Sequence, residues 1–149
     1  SIEATWEQKE LQPYKDFIKD GYEEAIMIGH LFNSDLDDSY PATLSYPTVH
    51  EILRNKLRYR GLIVSDDMQM RAITDRYGLA EACCKAISAG IDLLIIGNNI
   101  FHDPHILAKI QKELLKAVDK GTLAAERIDE AWTQVQKFKR LRRTHNESK

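Results

Sequence analysis

The sequence predicts an α/β fold built on parallel strands, and three observations carry that expectation. Three short runs, residues 25–29, 62–64 and 91–96, are apolar almost throughout instead of alternating, as strands covered on both faces are. Helical patterns separate them, and the units recur about every 30 to 37 residues, the length of a βα unit. Each run also stops at polar side chains: His30, then Asp66 with Asp67, then Asn98 with Asn99. The C-terminal ends of parallel strands share one face, and α/β folds place their chemistry there.

The elements follow in order. Thr5 with Gln8 three residues on has the form of a capping box, and Leu11, Tyr14, Phe17 and Ile18 follow at helical spacing until Asp20-Gly21 stops the helix. The first strand ends at Gly29 before His30, and a long polar and aromatic loop runs to about Ser45. Ser45 suits a helix cap, Pro47 is tolerated in a first turn, and Val49, Ile52, Leu53 and Leu57 form the buried face. The second strand, residues 62–64, is released by Gly61 and leads to Ser65-Asp66-Asp67. An alanine-rich helix over residues 79–89 closes at Gly90, and the third strand, broken only by Asp92, ends at Gly97. Asp103-Pro104 caps a helix carrying Ile106, Leu107, Ile110, Leu114, Leu115 and Val118. Gly121 ends it, and a last helix places Ile128, Ala131, Trp132, Val135 and Phe138 on one face.

Three βα units do not close a barrel, which takes eight over roughly 250 residues. The alternatives are a small open sheet and a piece of a larger barrel. Residues 1–149 read as one unit, with no repeat, low-complexity segment, linker or second domain.

With 43% hydrophobic and 30% charged residues, the chain has the composition of a globular unit with a real core. Its net charge of -2 gives no electrostatic footprint for nucleic acid or an anionic membrane. No apolar run approaches the ~18 residues of a membrane span. The basic cluster Lys137, Lys139, Arg140, Arg142 and Arg143 falls in the last turns of a helix, where cations suit the dipole. Cys83 and Cys84 are adjacent, so on a helix they point about 100° apart and neither pair nor chelate together.

Among the residues able to do chemistry, Asp66 stands first. A carboxylate there either caps the following helix or acts as a nucleophile or general base, and its place at the top of a dry strand favours the second. Asp67 points away from it and is structural, or orients the loop. His30 after a strand is more often a satisfied structural histidine, and the asparagine pair suits a turn. Asp35, Asp37 and Asp38 superficially resemble a calcium loop but lack its glycine and distal glutamate. His102 and His105 lack the partners of a metal site. No phosphate loop, nucleophile elbow or zinc pattern is present, so the expectation is no metal, no cofactor, and hydrolysis by side chains alone.

The run Gly61-Leu62-Ile63-Val64-Ser65-Asp66-Asp67-Met68-Gln69-Met70 resembles the nucleophile strand of glycoside hydrolase family 3, in its bacterial β-N-acetylglucosaminidase branch. Thr5-Trp6, Glu10 to Tyr14, Ile28-Gly29-His30, Pro41 to Ser45, Ile52-Leu53-Arg54 and Lys120-Gly121 with Glu126 to Asp129 resemble neighbouring parts of that family's barrel. The resemblance implies a partial TIM (β/α)8 barrel: about the last three βα units with a leading and a closing helix. It implies that Asp66 is the nucleophile of a retaining glycosidase acting on peptidoglycan-type amino sugars through a covalent glycosyl-aspartate. It implies further that His30 lines the sugar pocket and that Met68 and Met70 form its wall or the loop above. The Lys-His-Phe-Pro-Gly-His-Gly loop that carries the branch's acid/base pair does not occur in these residues, so the chain is expected to be a weakly active or inactive fragment. Two other readings stay open: a non-catalytic half-barrel that self-associates or joins the rest of the barrel, and a small α/β ligand-binding domain.

Overall fold

A computed structural model describes residues 5–99 and 102–147. A 3-10 turn, Gln8–Leu11, runs into helix α1, Gln12–Lys19. The cap lies two residues later than the Thr5/Gln8 pattern suggests, because Glu10 Oε1 accepts the Glu7 backbone N–H at 3.1 Å. Tyr14 and Phe17 of α1 face outward, and no α1 residue is buried.

Strands β1 (Ala25–Ile28), β2 (Leu62–Asp67) and β3 (Leu93–Ile95) form one parallel sheet in the order β1-β2-β3. Strand β2 is longer than its apolar run and includes Ser65, Asp66 and Asp67. The reason lies in a register shift between Val64 and Asp67, where fully buried Ser65 enters the ladder through its side chain. Its Oγ accepts the Ile95 N–H at 2.9 Å, so a polar residue satisfies a backbone donor inside the sheet.

The segment after Ser45 is a π-helix, Pro47–Lys56, where an α-helix was expected. Its wider turn shows in the Leu57 N–H, which donates to Ile52 O, five residues back, at 2.8 Å. Ser45 still caps it, with Oγ accepting the Thr48 N–H at 3.1 Å. Val49 and Leu53 are buried, as their spacing predicts.

Helix α2, Arg71–Thr74, is a short turn absent from the sequence reading, and α3, Leu79–Ala89, follows. The buried face of α3 is Ala82, Cys83, Ala86 and Ala89, small residues that let it approach the sheet closely. Burial pushes the Cys83 thiol up to about 12, as suits a core residue and not a nucleophile. Gly90 ends α3 at φ +117, where a side chain would be strained and would also press on Val49.

Helices α4 (Ile106–Asp119) and α5 (Ala125–Glu147) complete the chain. Helix α4 packs on α3, burying Ile106 and Ile110 but leaving Leu107 70% exposed. Helix α5 does not bury the single apolar face expected of it: Ala131 is buried, whereas Trp132 is 62% exposed. Both helices thus leave part of their apolar stripe uncovered by the described residues. The basic end of α5 is partly tied down, with Lys137 and Arg142 pairing with Glu23 and Glu24 just before β1.

One contiguous core joins the sheet to its helices, with Ile63, Ile73, Val49, Tyr59, Met68 and Ile91 fully buried. Each such side chain contributes about 1.5–3 kcal/mol. Beneath the sheet, at the start of β3, the Asp92 side chain is 1% exposed and pairs with Arg54 and Arg127. Asp92 Oδ2 also accepts the Ile63 N–H at 2.9 Å. The arginines cap backbone carbonyls as well: Arg54 donates to Gly61 O at 2.6 Å and Arg127 to Ile91 O at 3.0 Å. Burial pushes the Asp92 carboxyl above its ordinary range, against the pull of Arg54, the Ile63 N–H and Arg127.

Candidate active site

The polar residues that end the three strands meet at the upper edge of the sheet, and hydrogen bonds join them. His30, just after β1, places Nδ1 2.9 Å from Thr43 Oγ1 and Nε2 2.9 Å from the backbone oxygen of Asp67. Both ring nitrogens are therefore engaged within the protein. The expectation that His30 lines a sugar pocket gives way to a tie between β1 and the end of β2, because neither nitrogen is left for a ligand hydroxyl.

Asp66 is half-buried at the end of β2. Its Oδ1 accepts the Asp67 N–H at 2.7 Å, and among the described residues no lysine or arginine forms an ion pair with it. Asp67 is bound differently. Its Oδ1 accepts the N–H groups of Gln69 and Gly97, each at 3.0 Å, which anchors β2 to the end of β3. A Cβ at Gly97 would collide with the Asp67 carboxylate, so this close approach requires glycine there.

Gln69, 8% exposed, accepts the Asn98 N–H through Oε1. Asn98, at φ +51, closes the next loop by exchanging hydrogen bonds with the Asp103 backbone at 2.9 and 3.0 Å. It is thus a turn residue, and Asn99 is exposed beside it. Asp103 in turn accepts from His105 N–H and Lys109, and the Lys109 bond holds its carboxyl below the ordinary range.

Met68 corrects a second expectation. It is 0% exposed and belongs to the core beneath the site, so it cannot form a pocket wall. Its N–H donates to Ile95 O at 3.0 Å and the turn after Asp67 puts its side chain in the core, while Met70 stays 39% exposed just before α2 and is the methionine able to meet a ligand. The Asp37 carboxylate caps Ser39 and Tyr40 N–H groups in its own loop. Among the described residues, no three His, Cys, Asp or Glu side chains gather so as to hold a metal ion.

Thr43, Gln69 and Gly97 escaped the sequence reading. Thr43 was in view only as one letter of Pro41-Ala42-Thr43-Leu44-Ser45, and Gly97 only as a strand terminator. A cavity of ≈ 300 Å³ beside β1 is lined by Trp6, Tyr14, Ile28 and Leu31, and Asp66 is not among its walls. The carboxylate lies on an open rim.

Comparison with known proteins gives this rim its context. A sequence profile described as the glycosyl hydrolase family 3 N terminal domain matches residues 2–138. The chain belongs to glycosyl hydrolase family 3. A β-hexosaminidase of Tolumonas auensis is 37% identical over 98 residues, covering 64% of this chain and 29% of that protein. β-Hexosaminidase A of Pseudoalteromonas piscicida is 26% identical over 145 residues, covering 89% and 24%. Among solved structures, a family 3 β-N-acetylglucosaminidase from Paenibacillus sp. str. FPU-7 superposes with a TM-score of 0.79 at 32% identity, covering 88% of this chain and 24% of that one. CbsA from Thermotoga neapolitana gives 0.77 at 30% identity, covering 86% and 28%. The chain thus spans about a quarter of the relatives it matches. Its three parallel βα units are part of a TIM-barrel-like family 3 domain, with the Asp66 rim at the barrel's C-terminal face.

Proposed function

We propose that Asp66 is the nucleophile of a retaining β-N-acetylglucosaminidase acting on peptidoglycan-type amino sugars. The observation that carries the reading is the contrast between two adjacent carboxylates. Asp67 Oδ1 accepts two N–H groups that pin it to β3 and the turn after β2, whereas Asp66 receives one N–H and, among the described residues, pairs with no cation. The relatives' names support an amino-sugar glycoside as the substrate class.

In the first step an Asp66 carboxylate oxygen bonds to the anomeric carbon as the bond to the leaving oxygen breaks. Water then attacks that carbon, gives up a proton, and releases the carboxylate with net retention. The described strand ends offer no evident proton donor for the leaving oxygen. Without one, an ordinary glycoside is slowed by about 10² to 10⁴-fold. A dinitrophenyl glycoside departs as an anion and isolates the nucleophilic step.

The test is therefore dinitrophenol release from its β-N-acetylglucosaminide. Asp66→Asn is expected to slow release on the order of 10³-fold or more. Asp66→Gly with added azide is expected to yield the α-glycosyl azide. Equal rates for the unaltered protein and Asp66→Asn would overturn the reading.

A second reading rests on a separate observation. Met27 and Leu93 are in register with buried Val64, yet they are 58% and 42% exposed on one sheet face. Strand β1 also has an open edge. We propose that further protein covers this surface, either a second copy or the remainder of a barrel. Light scattering of the protein alone is expected to show self-association, and a soluble monomer at high concentration counts against it.

A further inference from the structure

We infer that His30 is a positioning residue for Asp66, acting through the Asp67 main chain; this rests on the reading of Asp66 as nucleophile. The Asp67 carbonyl receives two donors, His30 Nε2–H at 2.9 Å and the Met70 N–H at 3.0 Å. A carbonyl oxygen only accepts, so Nε2 carries a proton. Across the ring, Nδ1 faces fully buried Thr43, whose Oγ1 lies 3.0 Å from Gly29 O and 3.2 Å from Ile28 O. The imidazole is fixed at both nitrogens, to the end of β1 on one side and to the turn after β2 on the other.

The Asp67 side chain and N–H are engaged as well. Its Oδ1 is held by the Gln69 and Gly97 N–H groups, and its own N–H is the donor to Asp66 Oδ1 at 2.7 Å. Asp67 is therefore gripped from β1 by His30 and from β3 by Gly97, and the N–H left over aims the Asp66 carboxylate. Loss of the His30 bond leaves the Asp67 carbonyl held by the Met70 N–H alone, cuts the tie to β1 and lets that N–H drift. A nucleophile displaced by about 1 Å loses about 10²-fold in rate with binding little changed.

The experiment measures kcat and KM for the dinitrophenyl glycoside in His30→Leu, His30→Gln, Thr43→Val and Asp66→Asn, with a thermal melt of each. His30→Leu is expected to lower kcat about 10²-fold with KM within about threefold. His30→Gln keeps an N–H able to reach the Asp67 carbonyl and is expected to recover most of the loss. Thr43→Val, which releases Nδ1 and keeps the imidazole, is expected to show the same split at smaller size. A raised KM with unchanged kcat in His30→Leu makes His30 a substrate contact and overturns the inference. Should His30→Leu melt below the assay temperature, folded His30→Gln and Thr43→Val decide: a slow Gln variant or an unimpaired Val variant overturns it. Asp66→Asn separates the two claims. If it is as fast as the unaltered protein, the nucleophile reading fails. If it alone is slow, only the role of His30 fails.

Discussion

The two ends of the sheet hold their carboxylates in opposite ways. Below, Asp92 meets two guanidinium groups and a backbone N–H, and Arg54 and Arg127 also donate to the carbonyls of Tyr59, Gly61, Ile87 and Ile91, with Arg127 reaching Glu130 besides. Above, among the described residues, the Asp66 and Asp67 carboxylates are met by neutral N–H groups alone. A charge sealed among matched charges has no vacancy for a substrate, and its removal leaves its partners stranded. A charge steadied by one or two neutral donors keeps its reactivity and contributes little to stability. The lower end therefore reads as the bolt that joins the π-helix, α3, α5 and the strands, and the upper end as the place for chemistry, in line with the division of labour in β/α barrels.

The bolt is the place to break that contrast hardest. Asp92→Ala leaves Arg54 without its carboxylate and Arg127 with only the exposed Glu130, and is expected to cost about 3–5 kcal/mol, against a typical total of about 5–15 kcal/mol. Urea titration reads the loss. A cost near zero would mean that the lower network is no different from the exposed pairs such as Lys116–Glu113. At the upper end, Gly97→Ala forces the Asp67 carboxylate aside and is expected to cost about 1–3 kcal/mol. It should also reduce kcat on the dinitrophenyl glycoside, since the Asp67 anchor moves with it. Stability loss with full activity would detach Asp67 from the chemistry.

The smallest effect concerns pH. The Lys109 bond holds Asp103 below the ordinary carboxylate range, so its folded value lies under its unfolded one. The stability it contributes is present above the unfolded value and is lost as pH falls through the folded value. Lys109→Met is accordingly expected to lower the melting temperature slightly at neutral pH and leave it unchanged near pH 2, which flattens the fall between about pH 5 and pH 2.

Much of the arrangement was legible in the chain itself. Unbroken apolar runs specify parallel strands, and their polar ends specify where the groups converge. Asp66 drew attention because a carboxylate at the top of a dry strand needs a reason. Met68 misled because an apolar residue near a site reads equally as wall or core, and only the turn after Asp67 sends it inward. His30 was ambiguous for a similar reason: one side chain suits a ligand or a tie until its two nitrogens are seen to be occupied. Asp92 registered as a mere interruption of a strand, since Arg54 and Arg127 lie 38 and 35 residues away along the chain.

By itself, then, the sequence determined the kind of sheet, the order of its units, the family and the carboxylate pair that ends the central strand. These depend on periodicity, turn residues and a local motif, all short-range properties of the chain. Only the tertiary structure decided which polar groups are partners. It drew Thr43 under His30, Gly97 against Asp67 and two arginines around Asp92, because hydrogen bonds and ion pairs depend on positions within about 3 Å, which no spacing along the chain prescribes.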